Sequence, residues 1–150
     1  MISIRNKALQ LLGRRDHSKK ELQQKLSLAF PGSPTEEIEN VLLDFIELGW
    51  VSDARFAEQW VYFRSQRYGQ QRLKHELHDK GIDSEIIAQV LAEISDAEEI
   101  NARTLWQKKF IAPPRNLAER SKQLRYLANK GFSLSIVYRV VGDTFDEESN

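Results

Sequence analysis

The stretch Leu77-His-Asp-Lys-Gly-Ile-Asp-Ser-Glu-Ile-Ile-Ala-Gln-Val-Leu91 returns fifty residues later as Leu127-Ala-Asn-Lys-Gly-Phe-Ser-Leu-Ser-Ile-Val-Tyr-Arg-Val-Val141. Eight positions agree in residue type at this one offset, and both copies contain a Lys-Gly pair in the same phase. Apolar residues within each copy recur at the i, i+3, i+4, i+7 spacing of a buried helix face. The chain therefore contains an internal helical repeat of about fifty residues.

A third, looser copy precedes these two. Leu22 and Leu26 lie 51 residues before matching leucines, and Pro31–Pro34 stands where the other copies have Lys-Gly. No stretch alternates apolar and polar residues as a strand does. We predict an all-α fold with nine helices of roughly 8–16 residues, grouped as three tandem three-helix repeats. The predicted domains are residues 1–51, 52–94 and 95–150, the last with an acidic C-terminal tail. Stacked neighbours would bury the apolar faces of such small units, giving an elongated, curved protein.

Capping residues mark several predicted helix boundaries. Ser18-Lys-Lys-Glu21 and Ser95-Asp-Ala-Glu98 match the capping box, and Asn116-Leu-Ala-Glu119 is a weaker relative. Glycines follow the periodic runs, where a left-handed residue can end a helix. These glycines are Gly13, Gly49, Gly69, Gly81, Gly131 and Gly142.

The composition limits which classes of protein this chain can belong to. The 150 residues include 22 basic and 22 acidic side chains, no cysteine and 41% hydrophobic residues. This apolar share suffices for a core, and the lack of cysteine excludes disulfides and thiolate metal sites. No apolar run reaches the roughly 18 residues of a membrane span, and the first residues lack the apolar region of a secretory signal. We therefore expect a cytoplasmic protein.

The zero net charge hides strong segregation. Residues 1–30 carry +5 and residues 102–130 carry +7, whereas residues 31–60 carry −6. The middle helix of each repeat is basic, so a regular stack would place a basic strip along one face, for a protein partner or DNA. The candidate strip consists of Lys19, Lys20, Lys25, Arg64, Arg67, Arg72, Lys74, Arg120, Lys122 and Arg125. Charge runs on solvated helix faces are the plainer interpretation, and it stays open.

No motif predicts catalysis, a metal or a cofactor. The sequence has no glycine-rich phosphate loop, no cysteine nucleophile and no Gly-x-Ser-x-Gly elbow. His75 and His78 are three residues apart, whereas the zinc helix needs a spacing of four. We predict a non-enzymatic protein with no catalytic residues, no cofactor and no metal.

Several aromatic residues have two interpretations. Phe56, Trp60 and Phe63 follow helical spacing, which favours core positions, and Trp50 is interpreted in the same way. The alternative is that they stack on single-stranded bases beside nearby arginines. Tyr68, at a helix end among those arginines, fits either interpretation.

The segment Gly49-Trp-Val-Ser-Asp-Ala-Arg-Phe-Ala57 joins two predicted helices. Gly49 would end the first helix, and Ser52 or Asp53 would cap the second. Arg55 opposes the helix dipole when it lies in a first turn, so it needs a carboxylate partner. Asp53 and Glu47 are the candidates for that partner.

Together with Ser18-Lys-Lys-Glu-Leu22, Arg64, and Glu76-Leu-His-Asp-Lys-Gly-Ile82, this segment resembles the bacterial RecX regulatory proteins. The resemblance covers nearly the whole chain and is weakest in the third repeat. Trp50 stands where the family usually has Tyr, and Ser52 stands where an acid is frequent. The family-motif positions, expected to be mainly structural, are Gly49, Trp50, Asp53, Arg55, Phe56, Ala57, Gly69 and Gly81.

The resemblance implies a fold of three three-helix repeats and a regulatory function. RecX proteins bind the RecA recombinase filament on DNA and suppress its ATP hydrolysis, strand exchange and coprotease activity. The implied role lies in homologous recombination, DNA repair and the SOS response. The RecA filament is then the protein partner, with weak contact to single- or double-stranded DNA as an option, no membrane, and a monomeric state. The alternative is a stand-alone helical DNA-binding protein with helix-turn-helix-like units.

Overall fold

Eight α-helices and no strands make up residues 2–142, the part of the chain that the computed structural model describes. The all-α prediction is therefore confirmed. The helices are α1 (Ile4–Arg14), α2 (Lys19–Ala29), α3 (Thr35–Glu47), α4 (Asp53–Arg64), α5 (Gln70–Asp79), α6 (Ser84–Lys109), α7 (Leu117–Asn129) and α8 (Leu134–Val141).

The described residues contain one helix fewer than predicted, because α6 is continuous over 26 residues. The new helix expected at Ser95 does not start there, since the Ser95 hydroxyl donates to the carbonyl of Ala92 at 2.9 Å within α6. No glycine or proline lies between residues 82 and 112 to interrupt the helix. The predicted capping box at Ser95–Glu98 is therefore wrong. The capping box at Ser18–Glu21 and the cap at Asn116 are confirmed.

Two compact units are distinguished by their internal contacts. The first combines Met1–Gln59 with Leu77–Ile87, and the second combines Trp60–Glu76 with the chain from Ala88 onward. A core cluster of the first unit consists of Ala8, Leu11, Leu22, Leu26, Ile38, Leu42, Phe45 and Val51. A core cluster of the second unit consists of Ala102, Leu127, Phe132, Ile136, Val137, Val140 and Val141. The repeat boundaries after residues 51 and 94 stay a prediction.

The two Lys-Gly turns have the same backbone conformation. Gly81 has φ +79° and Gly131 has φ +94°, the left-handed region that glycine adopts without a Cβ penalty. In each turn the lysine N–H donates at 3.1 Å to the carbonyl three residues earlier. The predicted left-handed glycine is also confirmed at Gly49 and Gly142, but not at Gly13, which lies within α1.

Each Lys-Gly turn contacts the start of an earlier middle helix. In the first unit the Ser18 hydroxyl donates to the carbonyl of Lys80 at 2.8 Å. In the second unit the backbone N–H of Gly69 donates to the carbonyl of Lys130 at 2.9 Å. A Cβ at Gly69 would overlap the backbone of Phe132, so this glycine is needed for close approach and not for a left-handed turn.

Candidate functional site

Three cations surround the ring of Tyr68 in the second unit. The guanidinium carbons of Arg72 and Arg64 lie 3.9 and 4.6 Å from the ring centroid, and Nζ of Lys130 lies 5.4 Å from it. The negative face of an aromatic ring attracts cations at these distances. We call this group, Tyr68 with Arg64, Arg72 and Lys130, the Tyr68 site. It brings together two residues of the predicted basic strip.

Glu76 partly neutralises the Tyr68 site. Its carboxylate accepts hydrogen bonds from Arg64 at 2.6 and 2.8 Å and from the Trp60 indole at 3.0 Å. Burial opposes ionisation of Glu76, but the bonds from Arg64 and Trp60 outweigh it, so the pKa of Glu76 is lowered. The hydrogen bond to Glu76 raises the pKa of Arg64. The Tyr68 site thus combines three cations with one neighbouring carboxylate, so it keeps a positive charge.

A second aromatic residue extends the Tyr68 site. Tyr126 has Nζ of Lys130 and Nζ of Lys109 at 5.6 and 5.8 Å from its ring centroid, and its ring meets the edge of Phe110 at 5.5 Å. The predicted basic strip did not include Tyr126, Lys109 or Lys130. The charge of +7 over residues 102–130 was the available signal, but it does not identify individual side chains.

The other predicted strip residues of the second unit differ in their surroundings. Arg120 donates to the carbonyl of Gly142 at 3.2 Å. The exposed members are Arg67, Lys74, Lys122 and Arg125. The existence of one continuous basic strip stays a prediction.

In the first unit the strip lysines lie on α2. Nζ of Lys19 pairs with Glu39 at 3.0 Å, and Lys20 is exposed. Nζ of Lys25 lies 2.8 Å from Nε2 of His17, and partial burial lowers the pKa of Lys25. These side chains are therefore partly committed to contacts within the unit.

An ionic network surrounds the buried Glu21 carboxylate at the start of α2. Glu21 accepts hydrogen bonds from Arg15 and Lys80, both at 2.9 Å, and from the Ser18 N–H at 3.1 Å. Burial opposes its ionisation, but these three donors outweigh it and lower the pKa of Glu21 to about 2. Burial lowers the pKa of His17 despite its hydrogen bond with the Arg15 carbonyl.

Arg55 of the family motif connects α4 to two other segments, the loop at Asp16 and the turn at Gly49 and Trp50. Its guanidinium donates to the Asp16 carboxylate at 3.1 and 3.3 Å and to the carbonyls of Gly49 and Trp50 at 3.0 and 3.2 Å. The sequence prediction that Asp53 or Glu47 is its partner is wrong. Asp53 instead accepts the backbone N–H of Lys19 at 2.8 Å.

The rest of the motif lies in a turn and a core. Ser52 accepts the Arg55 N–H at 3.2 Å and so caps α4, while Phe56 and Ala57 are buried. Gly81 lies against Lys20, whose Cβ would be 2.7 Å from a Cβ placed at this glycine. In the first unit these motif residues therefore have structural roles, in the turn before α4 and in the core.

The aromatic residues divide between core and surface. The core prediction is confirmed for Phe56, and Trp60 is half-buried. It is wrong for Phe63, which is 71% exposed and meets the ring of Tyr62 edge-on at 5.2 Å. The buried face of α4 is centred on Ala57 and Val61, and Phe63 lies beyond its edge. Trp50 also departs from a core position: it packs edge-on against Phe45 at 5.1 Å but is 43% exposed.

Two further properties hold for residues 2–142. They contain no group of three or more His, Cys, Asp or Glu side chains arranged to hold a metal ion. None of the described helices has the length and apolar character needed to span a bilayer.

Family models match the chain in three consecutive segments. The model described as the first three-helix domain of RecX matches residues 5–42, that of the second domain matches residues 52–91, and that of the third matches residues 97–141.

Curated relatives and solved structures agree with these matches. A "Regulatory protein RecX" of Ralstonia pickettii is 41% identical over 141 residues, covering 93% of this chain and 87% of the relative. One of Neisseria meningitidis serogroup A is 37% identical over 145 residues, covering 97% and 93%. The crystal structure of RecX from Lactobacillus salivarius has a TM-score of 0.79 and covers 92% of both chains; at 24% identity it supports the fold alone.

Proposed function

The chain belongs to the RecX family of regulatory proteins, and on that premise we propose that it binds the RecA recombinase filament and inhibits its ATPase, strand-exchange and coprotease activities. The proposed protein is a cytoplasmic, monomeric regulator in DNA repair and the SOS response, and not an enzyme. The observation that carries this proposal is the match to all three RecX domains between residues 5 and 141.

We propose that the Tyr68 site and the exposed basic residues near it in sequence supply part of the filament contact. Arg and Lys side chains can meet acidic protein surface or DNA phosphate. Three repeats, with boundaries after residues 51 and 94, can contact more than one protomer of a filament. Several weak contacts then combine through a high effective concentration.

The test is RecA ATP hydrolysis stimulated by single-stranded DNA, measured with increasing amounts of this protein. We expect inhibition at protein concentrations comparable to RecA, weakening as salt is raised. Uninhibited hydrolysis with an excess of folded protein would contradict the proposal. Thermal unfolding of the same preparation provides the check that the protein is folded.

A second candidate function, stand-alone DNA binding, is favoured by the aromatic rings among cations at Tyr68 and Tyr126. Such groups suit the phosphates and bases of single strands. Fluorescence anisotropy with labelled DNA, in the absence of RecA, separates the two candidates. Tight binding of single-stranded DNA without RecA would support the second, whereas weak binding alongside strong RecA inhibition would support the first.

A further inference from the structure

Helix α3 leaves a row of apolar side chains uncovered on the first unit. Leu43 is 51% exposed, Ile46 follows one turn later at 39%, and Trp50 lies just beyond the helix end. Leu48 in the same turn is also half exposed. Single exposed apolar residues are ordinary, but a contiguous row of them marks an interaction surface.

A cleft of about 440 Å³ opens beside this row, and Ile46 belongs to both. The apolar side chains that line it are Ile46, Val51, Ala54 and Ile86. The charged groups that line the cleft are already engaged, since Lys19 pairs with Glu39, Arg55 pairs with Asp16, and the Asp53 carboxylate accepts the backbone N–H of Lys19. The cleft therefore offers apolar surface to an incoming side chain, with a volume in the range of ligand-binding pockets.

Carboxylates without counter-ions flank the row. Glu36, Glu37 and Glu47 are exposed, and within residues 2–142 none of them has an ion-pair partner. Glu36 lies seven residues before Leu43 and Glu47 lies four residues after it. Leu43 and these two carboxylates therefore lie on one stripe of α3. The remaining acids of α3 are neutralised, Glu39 by a lysine and Asp44 by an arginine.

We propose that this α3 face, defined as Glu36, Leu43, Ile46, Glu47 and Trp50 with the adjoining cleft, docks a basic amphipathic helix of a protein partner. An apolar side chain of the partner enters the cleft, and flanking Lys or Arg side chains meet the free carboxylates. Nucleic acid and anionic lipid are repelled by the same carboxylates. The chain's own last eight residues include four acids, so they are disfavoured as the occupant too.

This docking proposal does not depend on the proposed inhibition of RecA, because it concerns the acidic α3 face of the first unit and not the basic Tyr68 site of the second. The probes are a short amphipathic helical peptide of leucine and lysine and its counterpart with glutamate in place of lysine. Each is titrated into the isotopically labelled full chain, and chemical shifts are followed by NMR. We expect the lysine peptide to perturb the amides of Leu43, Ile46 and Glu47 and the indole N–H of Trp50, and the glutamate peptide to leave them unchanged.

Two charge-reversal variants sharpen the test. Glu36→Lys with Glu47→Lys should weaken binding of the lysine peptide by about tenfold, because attraction becomes repulsion. The matched control, Glu93→Lys with Asp96→Lys, makes the same charge change on exposed positions of α6 and should stay within about twofold of wild type. Equal weakening in both variants, perturbations that avoid α3, or no binding would overturn the proposal. Self-association of the chain that is lost in the α3 variant would assign the face to a second copy, and would also overturn it.

Discussion

The carboxylate of Asp53, the first residue of α4, accepts the backbone N–H of Lys19, the first residue of α2, at 2.8 Å. In the second unit the Glu98 carboxylate on α6 lies near the backbone of Gln70, the first residue of α5, but burial outweighs this contact and raises the pKa of Glu98. The first turn of a helix carries amides without intrahelical partners and the positive end of the dipole. In the first unit the Asp53 carboxylate, which comes from another helix, satisfies the Lys19 amide and places a negative charge at this end of α2.

Replacing Asp53 by Ala should therefore destabilise the protein. We expect the free energy of unfolding to fall by about 1–3 kcal/mol, because the Lys19 amide loses a charged acceptor. Urea unfolding followed by circular dichroism measures the change. Glu58→Ala, on an exposed position of the same helix, is the control and should change it by less than about 0.5 kcal/mol.

Substitution of Gly131 by Ala should be more damaging than substitution of Gly13. At Gly131 a Cβ would overlap Arg72 and the backbone has φ +94°, so we expect a loss of about 1–3 kcal/mol in unfolding free energy. Gly13 lies within α1 with open space around it, and there Ala should stabilise by about 0.5–1 kcal/mol. Equal effects in thermal unfolding would contradict this account of the Lys-Gly turn.

Phe56→Ala and Phe63→Ala separate the two sides of α4. Phe56 is 4% exposed, so its truncation should cost about 3–5 kcal/mol through lost burial and a cavity. Phe63 is 71% exposed, and its truncation should cost less than about 0.5 kcal/mol. Chemical denaturation of the two variants and the wild type measures both changes in unfolding free energy. A large loss at Phe63 would show that its ring is buried in solution.

Acidification should destabilise the ionic network at the start of α2 in two steps. The pKa of His17 is lowered by burial. As the pH falls below about 6.5, His17 is protonated in the unfolded chain before it is in the folded chain, so the free energy of unfolding decreases. The pKa of Glu21 is lowered to about 2, so its stabilisation is present above its usual 4.5 and is lost as the pH falls from there toward 2. Unfolding free energy measured at several pH values should therefore fall with pH. His17→Gln should remove the first step and Glu21→Gln the second.

Charge reversal at exposed basic residues should weaken the proposed inhibition of RecA. Lys74→Glu with Arg125→Glu changes two exposed side chains of the middle helices, and we expect the inhibitory concentration in the ATPase assay to rise by about tenfold. Arg14→Glu with Lys108→Glu makes the same charge change elsewhere and is the control. If both double variants inhibit as wild type does, the basic strip is not the contact.

The sequence predicted the elements whose signals are local. The Lys-Gly turns and the capping box of Ser18 and Glu21 each depend on residues within a few positions of one another, and they form as expected. Ser95 carried the same kind of signal, but its hydroxyl bonds to a helix carbonyl instead, a choice that depends on what surrounds the helix.

The site was less predictable because its contacts are long-range. Arg55 needed a carboxylate, but the actual partner, Asp16, is 39 residues away, farther than any local rule reaches. Phe63 shares the helical spacing of Phe56, yet the packing against α4 leaves it exposed. Lys130 lies near Tyr68 because the turn at Lys130 and Gly131 packs against the start of α5. Counting charges along the sequence cannot show such a tertiary contact.

The Lys-Gly turns place different demands on their two residues. In both turns the lysine contributes its backbone carbonyl, which accepts from the Ser18 hydroxyl in one case and from the Gly69 N–H in the other. A backbone carbonyl is present whatever the side chain, so a substitution at either lysine leaves this acceptor in place. A substitution at either glycine instead strains the left-handed turn that presents the carbonyl.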